Sequence, residues 1–200
     1  MNTKSDADAS LALHNLPEWE HPIILLPIDV FITPITLGLT LNTLYMVLFA
    51  DVKKVSQAFE STSLKYEISD PQSYKAGVQI LEYFEGKRTV FDIPFDVRGT
   101  EFQIRVLKSI DEIPYGQTLT YAQVAEKVQS PRAYRAVGSS CAANPMPIII
   151  PCHRVLASNG GLGGYSGGLE IKKALLEHEK LTLKNRMIDS AVVTDSAAES

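Results

Sequence analysis

The sequence predicts a mixed α/β (α+β) fold, with a small N-terminal β-sheet region that contains a helix and a mostly helical C-terminal region. Within residues 22–50, the sequence ITLGLTLNTLYMVLF alternates threonine with leucine, and such a period of two with β-branched residues is typical of strands with one buried face. Residues 101–114 instead space apolar side chains by four, as a helix does. With 200 residues, of which 45% are hydrophobic, the chain is long enough to bury a sizeable core.

The segment 70–87 of the first half is predicted to be a capped amphipathic helix. It begins at an Asp-Pro pair, which is a common helix start, and Gly86 is a suitable stop. Its predicted apolar face consists of Val78, Leu81 and Phe84. The Pro-containing stretch 89–99 that follows is predicted to be an extended connector.

The connector predicts a division of the chain into two domains with polar ends. We expect a flexible leader over residues 1–19, an N-terminal α/β domain over 20–94, a C-terminal domain over 95–184 and a disordered tail over 185–200. The leader begins MNTKSDADAS, with acidic residues and no apolar core, and so differs from a secretory signal peptide.

Two short helices are predicted in the second half, in an arrangement similar to a helix-turn-helix. Thr120 is a suitable N-cap for the sequence YAQVAEKV. Ser130 followed by Pro131 predicts the start of the next helix, which carries the sequence RAYRAVGSSCAA. The second helix of such a motif lies in a DNA groove, and small residues such as Ala133 and Ala136 would let its backbone approach a partner closely.

Charge is unevenly distributed along the chain, although the net charge of −4 does not by itself indicate nucleic acid. Residues 95–184 carry 11 Lys/Arg against 8 Asp/Glu, whereas residues 1–94 carry 7 against 12. Contact with phosphates requires a local basic face, and the alternative is an ordinary solvated surface. The basic residues between positions 116 and 168 are Lys127, Arg132, Arg135 and Arg154.

The two cysteines, Cys141 and Cys152, are too few for a disulfide framework in a chain of this length, so we expect a reduced, intracellular protein. Neither they nor the four histidines show CxxC or HxxxH spacing, so no metal site and no cofactor are predicted. Residues 21–50 are apolar enough to suggest a membrane helix, but their prolines, Asp29 and the period of two favour strands.

The sequence IIIPCHR places Cys152 after an apolar run, residues 148–150, that we expect to be a short strand stiffened by prolines on both sides. Because little of a free cysteine is ionised at neutral pH, a nucleophilic cysteine needs a partner that takes its proton. His153 is adjacent, but neighbours on a strand point to opposite faces, so a turn or a bridging water would be required. The alternative is a buried structural cysteine, which is the interpretation we favour for Cys141 in the middle of a helix.

The motif IPCHRV, with NP upstream and GGYSGG downstream, resembles the O6-alkylguanine-DNA alkyltransferases, also called methylated-DNA–protein-cysteine methyltransferases. The similarity runs through YFEGKRTVFDIPFDVRGTEFQIRVL, IPYGQTLTYAQVA, SPRAYRAVG and NPMPIIIPCHRV to LLEHE, and covers residues 83–181. Several ordered motifs are more specific than PCHR alone. The resemblance implies a ribonuclease H-like N-terminal domain and a C-terminal domain with a winged-helix-like, DNA-binding helix-turn-helix.

In that family the alkyl group of an extruded guanine passes to a cysteine by in-line displacement. The resemblance implies that Cys152 is the acceptor, that His153 is a water-mediated base and that Glu179 orients His153. It further implies that Asn144 braces the turn carrying the cysteine and that Tyr121 protonates the departing guanine. A phenol is a suitable donor because the displacement builds negative charge on the purine ring.

The resemblance also implies a DNA-binding surface and a base pocket. Arg135 would fill the gap left by the extruded base, and the backbone N–H of Ser166 would meet guanine O6. The carbonyls of Cys152 and Val155 would read the guanine amine. The DNA-binding residues implied are Arg135, Ala133, Ala136, Tyr121, Tyr134 and Gly138, and the pocket residues are Pro147, Val155, Tyr165, Ser166 and Cys141. Tyr134 departs from the family pattern, in which a small residue is often found there.

These assignments predict a direct-reversal DNA repair enzyme that transfers an alkyl group, mainly methyl, from O6 of guanine, and also from O4 of thymine, to Cys152. Because the thioether is stable, each molecule is expected to react once. The predicted partner of this monomer is double-stranded DNA carrying O6-alkylguanine, without a membrane, in a bacterial cytoplasm or a eukaryotic nucleus. The alternatives are a non-reacting module that binds alkyl lesions, whose members have tryptophan in place of the cysteine, and a Cys-His hydrolase.

Overall fold

The computed structural model of the chain describes residues 21–198, with the side chains of residues 21–185. The N-terminal half is built on the strands β1 (Ile23–Ile28), β2 (Ile35–Thr40), β3 (Thr43–Leu48) and β4 (Tyr66–Ile68). They form one sheet in the order β3-β2-β1-β4, in which β4 runs parallel to β1 and the other pairs are antiparallel. The strands predicted between residues 22 and 50 are therefore confirmed, and the leader predicted for residues 1–19 lies outside the described residues.

The sheet is covered on both faces, which is why every residue of β2 is buried. On one face, helix α1 (Val52–Glu60) packs Val55 and Phe59 into a cluster with Leu25 and Met46 of the sheet. The opposite face contributes to the main core, which also contains residues of the C-terminal helices. The N-terminal sheet and the C-terminal half are thus packed as one body of hydrophobic contacts.

The helix predicted over residues 70–87 is divided in two. Asp70 caps a 3₁₀ turn (Pro71–Ser73) by accepting a hydrogen bond from the backbone of the turn. Helix α2 (Lys75–Phe84) then follows and ends before Gly86, whose φ of 72° lies in the left-handed region that favours glycine. The predicted cap and stop residues are correct, but the cap serves the turn and not the helix.

The side of α2 that faces the core agrees with the prediction only in part, because Leu81 and Phe84 pack against the core whereas Val78 is exposed. Val78 is 37% exposed, whereas Ile80 and Tyr83 are fully buried. The 3₁₀ turn packs closely on the helix at Gly77, where a Cβ would lie 2.1 Å from the carbonyl oxygen of Pro71. This close approach fixes the rotation of the helix, and the prediction of Val78 as a core residue is wrong.

The connector over residues 89–99 is extended, as predicted, and lies along β3. The backbone N–H of Leu44 donates to the Pro94 carbonyl at 2.9 Å, and the Asp96 N–H donates to the Leu44 carbonyl at 3.2 Å. One hydrophobic core continues across the connector and combines residues of the sheet with residues of the later helices. The boundary between residues 94 and 95 therefore separates two types of secondary structure around one core, and the division into domains stays a prediction.

The C-terminal half is mostly helical, as predicted. Its helices are α3 (Glu101–Asp111), α4 (Tyr121–Lys127), α5 (Tyr134–Ala142) and α6 (Leu169–Ala198). Its two short strands, which pair in parallel, are β5 (Leu119–Thr120) and β6 (Val155–Leu156). Thr100 and Thr120 begin α3 and α4 in capping boxes with Gln103 and Gln123, which confirms the N-cap predicted at Thr120.

Helix α5 begins later than the sequence predicts. Ser130 and Pro131 lie in a turn, in which the Ser130 carbonyl accepts a hydrogen bond from the Ala133 N–H at 2.8 Å. Gln129, directly before the turn, has a φ of 58°, so the chain changes direction there. The serine and proline are used by this tight turn, and the helix starts only at Tyr134.

No strand precedes Cys152, contrary to the prediction for residues 148–150. The chain forms a turn there, closed by the Ile150 N–H donating to the Met146 carbonyl at 2.9 Å. Ile148 has a φ of 77° and is fully buried. A left-handed conformation costs a β-branched residue about 1–3 kcal/mol, so the surrounding packing must hold this turn in place.

The last helix differs from the prediction as well. A disordered tail was expected from residue 185, whereas α6 continues to Ala198. No Gly or Pro follows Gly168, so the sequence contains no residue that would end the helix. Among the described residues, no helix has the length and apolar character needed to cross a membrane.

Candidate active site

Cys152 begins a 3₁₀ helix (Cys152–Arg154) and is 2% exposed. The side-chain amide of Asn144 donates to Cys152 Sγ at 3.1 Å and to the Ile150 carbonyl at 2.8 Å. The oxygen of the same amide accepts from the Met146 N–H at 3.0 Å. Asn144 therefore joins the two ends of the turn to the thiol, a position from which it can brace the turn as predicted.

The thiol of Cys152 is protonated in the resting protein. Burial raises its pKa to about 11, and the hydrogen bond from Asn144 and the charge of Lys172 oppose this shift only in part. Because the thiolate is the nucleophile, a base must remove the proton before Cys152 can react. The site therefore requires a neutral base near Sγ.

His153 follows Cys152 in the 3₁₀ helix, and its side chain is fully buried. Three residues per turn separate successive side chains by about 120°, so the two residues do not point to opposite faces as they would on a strand. His153 Nε2 lies 2.8 Å from Glu179 Oε1, whereas Nδ1 has no hydrogen-bond partner among the described residues. Burial lowers the pKa of His153 against the opposing effect of Glu179, so the imidazole is neutral. With Nε2 assigned as the donor to Glu179, Nδ1 is left to accept a proton.

Glu179 is the centre of a buried polar cluster. The Tyr83 hydroxyl donates to it at 3.0 Å and the Gly116 N–H at 2.9 Å. Arg154 donates to it through Nε at 3.1 Å and through Nη2 at 2.9 Å. Burial disfavours the carboxylate, but the hydrogen bonds and charges of His153 and Arg154 outweigh this effect and hold the pKa of Glu179 at about 2. Glu179 is therefore ionised and fixes the orientation of the imidazole.

The sequence did not predict three members of this cluster. Tyr83 and Gly116 lie 96 and 63 positions from Glu179, and no local pattern links them to it. Arg154 was assigned to a basic surface, but it is 5% exposed and also donates to the Ile113 carbonyl. Its charge is balanced by Glu179 inside the protein, so Arg154 belongs neither to a phosphate-binding face nor to the ordinary solvated surface that was the alternative.

Tyr121 is the first residue of α4 and is half-buried at the edge of the site. Its hydroxyl donates to the Gly164 carbonyl at 3.3 Å. Gly163 has a φ of 69°, and a Cβ there would lie 2.7 Å from the Tyr121 ring, so glycine is required at this position. Burial raises the pKa of Tyr121, so the phenol keeps its proton at neutral pH.

Most of the residues predicted to form a base pocket are buried, and three of them, Cys141, Val155 and Tyr165, belong to the same hydrophobic core as Cys152. Tyr165 belongs to the same buried cluster as Cys152 and packs against Phe49, with ring centroids 6.0 Å apart. The Tyr165 hydroxyl has no hydrogen-bond partner among the described residues. Phe49 follows β3, so the N-terminal sheet supports this wall, a contribution that the sequence did not predict. The predicted pocket residues Pro147, Val155, Tyr165 and Cys141 are buried, and Ser166 is half-buried.

The first turn of α5 carries the residues predicted to face DNA. Arg135 and Ala136 are exposed, and Tyr134 is 47% exposed. The guanidinium carbon of Arg135 lies 5.8 Å from the centroid of the Tyr134 ring, within the range of a cation–π contact. Ala133 at the N-cap and Gly138 on the next turn are half-buried. The exposed first turn of α5 therefore presents the Tyr134 ring, the Arg135 guanidinium and the small side chain of Ala136.

The arrangement supplies a buried thiol, a neutral imidazole held by an ionised carboxylate, and a protonated phenol at the edge of the pocket. Such a set can deprotonate a nucleophile and protonate a leaving group in one reaction. Among the described residues, no three His, Cys, Asp or Glu side chains are grouped so that they could hold a metal ion.

The chain is similar in sequence to proteins that are named as methylated-DNA–protein-cysteine methyltransferases. A family model for the "6-O-methylguanine DNA methyltransferase, DNA binding domain" matches residues 101–181. The methylated-DNA–protein-cysteine methyltransferase of Mycobacterium tuberculosis is 43% identical over 131 residues, which are 65% of this chain and 79% of that protein. The protein of the same name from Methanosarcina mazei is 50% identical over 106 residues, which are 53% of this chain and 67% of that protein.

Solved structures with the same fold extend the similarity to the N-terminal half. The O6-methylguanine methyltransferase of Mycobacterium tuberculosis has a TM-score of 0.68 and 37% identity, over 80% of this chain and 94% of that chain. A Mycobacterium tuberculosis structure in complex with DNA gives a TM-score of 0.67 at 37% identity, over 80% of this chain and 94% of that chain. These matches confirm the mixed α/β fold with a small N-terminal sheet, and the finer description as ribonuclease H-like stays a prediction.

Proposed function

Because the chain belongs to the methylated-DNA–protein-cysteine methyltransferase family, we propose that it repairs alkylated DNA by direct reversal, with Cys152 as the acceptor of the alkyl group. The observation that carries this proposal is the set of contacts around one buried thiol. Asn144 donates to Sγ, while the neighbouring His153 has one ring nitrogen bound to Glu179 and the other unoccupied by the described residues. These are the groups that a thiol nucleophile needs in order to lose its proton in a buried site.

Proton transfer would start at the thiol. A water between Cys152 Sγ and His153 Nδ1 would carry the proton to the imidazole, and Glu179, 2.8 Å from Nε2, would stabilise the imidazolium. The ion pair formed in this way offsets the cost of ionising a thiol whose pKa is about 11. The proposed water explains how two residues that are adjacent in sequence exchange a proton without a direct bond.

Alkyl transfer would follow as an in-line displacement. The thiolate attacks the alkyl carbon, the S–C bond forms as the C–O6 bond breaks, and the electron pair passes to the purine. Tyr121 would turn from the Gly164 carbonyl and give its proton to the departing guanine, and solvent would then restore the imidazole and the phenol. The product thioether has no leaving tendency, so each molecule is proposed to react once.

The pocket would recognise the base by its edges. We propose that the backbone N–H of Ser166 meets O6 and that the Cys152 and Val155 carbonyls accept from the 2-amino group. Tyr165, Pro147 and Cys141 would form the walls around the base. An alkylated guanine pairs poorly, which reduces the few kcal/mol needed to extrude it from the duplex. The same pocket is proposed to accept O4-alkylthymine.

The partner of this site would be double-stranded DNA carrying an O6-alkylguanine. We propose that α5 enters the groove at its first turn, where Ala136 allows close approach and Arg135 fills the gap left by the extruded base. The protein is proposed to act as a monomer. A reducing compartment, a bacterial cytoplasm or a eukaryotic nucleus, would keep Cys152 as a free thiol.

Intact-mass measurement tests this function directly. The protein is incubated with a duplex oligonucleotide bearing O6-methylguanine, and we expect the mass to rise by one methyl group in place of a hydrogen. Cys152→Ala should show no change, whereas the matched variant Cys141→Ala should still react. Repair of the oligonucleotide should stop at one equivalent of protein.

The two other functions predict different outcomes in the same assay. Tight binding of the lesion without any change of mass would replace the transferase with a recognition module. Repeated turnover of an ester or amide would favour a Cys-His hydrolase. Either result contradicts the proposed alkyl transfer.

A further inference from the structure

Lys172 of α6 is a fully buried lysine that the proposed reaction does not use. Its side chain is 0% exposed, whereas the side chain of the adjacent Lys173 is 60% exposed. Desolvating an ammonium group is costly unless each of its donors finds a partner. The surroundings of Lys172 should therefore account for its burial.

Three backbone carbonyls surround the Lys172 ammonium group. Nζ donates to the Val155 carbonyl at 2.6 Å, to the Leu162 carbonyl, and to the Gly164 carbonyl at 3.3 Å. An ammonium group has three donors, so this arrangement satisfies all of them with charge-assisted hydrogen bonds. Lys172 thus ties the strand that follows the thiol to the loop that forms the far side of the pocket.

Besides Lys172, the loop is held from outside by the Tyr121 hydroxyl, which donates to the Gly164 carbonyl at 3.3 Å. The loop contains Gly160 and Gly163, whose φ values of 79° and 69° lie in the left-handed region. Glycine enters this region at little cost, and it can also adopt other conformations at little cost. The hydrogen bonds at its tip are local: the Ala157 N–H donates to the Gly161 carbonyl at 2.9 Å, and the Gly161 N–H donates to the Asn159 side chain at 3.1 Å. Contacts from helices outside the loop therefore set where the base of the loop lies.

The Val155 carbonyl is the connection between Lys172 and substrate recognition. A carbonyl oxygen has two lone pairs, and Lys172 occupies one of them. If the second accepts the 2-amino group of guanine, as the proposed function requires, the direction of that lone pair is fixed by the bond to Lys172 together with the pairing of β6 with β5. Losing this bond would let the carbonyl turn or take a water, and recognition of the amine would weaken first.

We propose that Lys172 is a positioning residue that holds the Val155 carbonyl and the glycine loop in one place, and thereby sets the preference of the site for bases that carry a 2-amino group. The inference rests on the proposed alkyl transfer to Cys152. The Lys172 charge also lowers the pKa of Cys152, which would change the rates with both bases alike. The inference therefore concerns the ratio of the two rates, and the choice of base can fail separately from transfer to Cys152.

The test compares two duplex oligonucleotides, one with O6-methylguanine and one with O6-methylhypoxanthine, which lacks the 2-amino group. Single-turnover rates are measured by intact mass for the full-length protein, Lys172→Met, Lys172→Gln and the control Lys173→Met. We expect the wild type to prefer O6-methylguanine about tenfold, the value of one good hydrogen bond. Lys172→Met should reduce this ratio to about twofold or less, and Lys173→Met should leave it unchanged.

Lys172→Gln keeps the outcome decisive if the methionine variant does not fold. The glutamine amide can donate to some of the three carbonyls that Lys172 binds. The ratio of the rate with O6-methylguanine to the rate with O6-methylhypoxanthine should therefore be about half that of the wild type or lower. An unchanged ratio in a folded Lys172 variant overturns the inference, even if both rates fall, because equal slowing indicates a purely structural lysine. A wild type that reacts equally with both bases also overturns it. A wild type that reacts with neither base overturns the proposed function itself.

Discussion

The proposed chemistry and the proposed DNA contact lie in two regions that are built in opposite ways. The thiol relay, which we define as Cys152, Asn144, His153 and Glu179, is buried, with hydrogen bonds from Asn144 to Cys152 at 3.1 Å and between His153 and Glu179 at 2.8 Å. The α5 surface, defined as residues 134–136, is exposed, and within it the Arg135 guanidinium lies over the Tyr134 ring. A buried relay fixes the reacting atoms, whereas an exposed surface is free to adapt to DNA. Changes in the relay should therefore affect stability and all substrates, and changes in the α5 surface should affect duplex substrates alone.

Glu179→Gln should give the largest effect on the relay. It leaves Arg154 buried without its counter-charge and removes the anion that stabilises the His153 imidazolium. We expect a loss of about 3–5 kcal/mol in the free energy of unfolding. Alkyl transfer should slow about 10²–10⁴-fold with duplex DNA and with free O6-benzylguanine alike. Urea unfolding and single-turnover rates measure both, with the exposed Glu177→Gln on the same helix as the control.

The same carboxylate predicts how stability depends on pH. The pKa of Glu179 is about 2 in the folded protein and about 4.3 in an unfolded chain, so its contribution is complete above pH ~4.3 and is lost as the pH falls towards 2. His153 acts in the same direction, because burial lowers its pKa and the unfolded chain binds the proton more readily below pH ~6.5. The free energy of unfolding should therefore decline in acid. Glu179→Gln should decline less steeply below pH ~4.5, and parallel curves for the two proteins would contradict the assignment.

Asn144→Ala should have a smaller effect of the same kind. It removes the donor to Sγ and the two bonds that close the turn before Cys152, so the thiol becomes harder to ionise and the turn loosens. We expect about 2 kcal/mol less stability and about tenfold slower transfer from both duplex DNA and O6-benzylguanine. Asn159→Ala, at the exposed tip of the glycine loop, is the control. If Asn144→Ala slowed transfer from duplex DNA but not from O6-benzylguanine, the assignment of Asn144 to the relay would be contradicted.

Arg135→Ala should distinguish the role of the α5 surface in DNA binding from the role of the relay in alkyl transfer. Because Arg135 is proposed to fill the gap in the duplex, its loss should slow repair of O6-methylguanine in duplex DNA about tenfold. Transfer from free O6-benzylguanine and the free energy of unfolding should stay at the wild-type values. Arg132→Ala, an exposed residue before the helix, is the control and should weaken binding mainly through salt-dependent phosphate contact. Equal slowing of both substrates would reject the role in the duplex.

Tyr134 should give the smallest effect. Its ring stacks near the Arg135 guanidinium and limits the conformations of that side chain before DNA binds. Tyr134→Ala should slow duplex repair about threefold and leave transfer from O6-benzylguanine unchanged, whereas Tyr134→Phe should behave as wild type. Faster duplex repair by Tyr134→Ala would show that the ring obstructs the groove.

Local patterns in the sequence predicted the elements that local interactions determine. The period of two predicted β1 to β3, and the preference of threonine for the N-cap position predicted the start of α4 at Thr120. Two of the errors lie where the same residues suit both a turn and a helix or strand. Ser130 and Pro131 suit a helix start and a tight turn equally, and the surrounding packing selects the turn. Ile148 favours a strand by its propensity, but its buried position imposes a φ of 77°.

The residues of the site could be predicted where they lie in a recognisable motif or where the family resemblance implies them. Cys152 and His153 are adjacent in one motif, and the family resemblance supplied Asn144 and Glu179. Tyr83, however, reaches Glu179 across 96 positions. Lys172, in the sequence IKKALLEHE, reads as one of two ordinary helix lysines, and only the fold distinguishes it from its exposed neighbour. Residues that act through long-range backbone contacts leave no periodic pattern in the sequence.

Locating the transferred methyl group tests the central claim most directly. Trypsin cleaves after Arg135 and Arg154, so one peptide, residues 136–154, contains both Cys141 and Cys152. After reaction with a duplex bearing O6-methylguanine, fragmentation of this peptide distinguishes the two thiols. The account predicts S-methylation at Cys152 with Cys141 unmodified. A methyl group on Cys141, or an unmodified peptide after the lesion has been repaired, would contradict it.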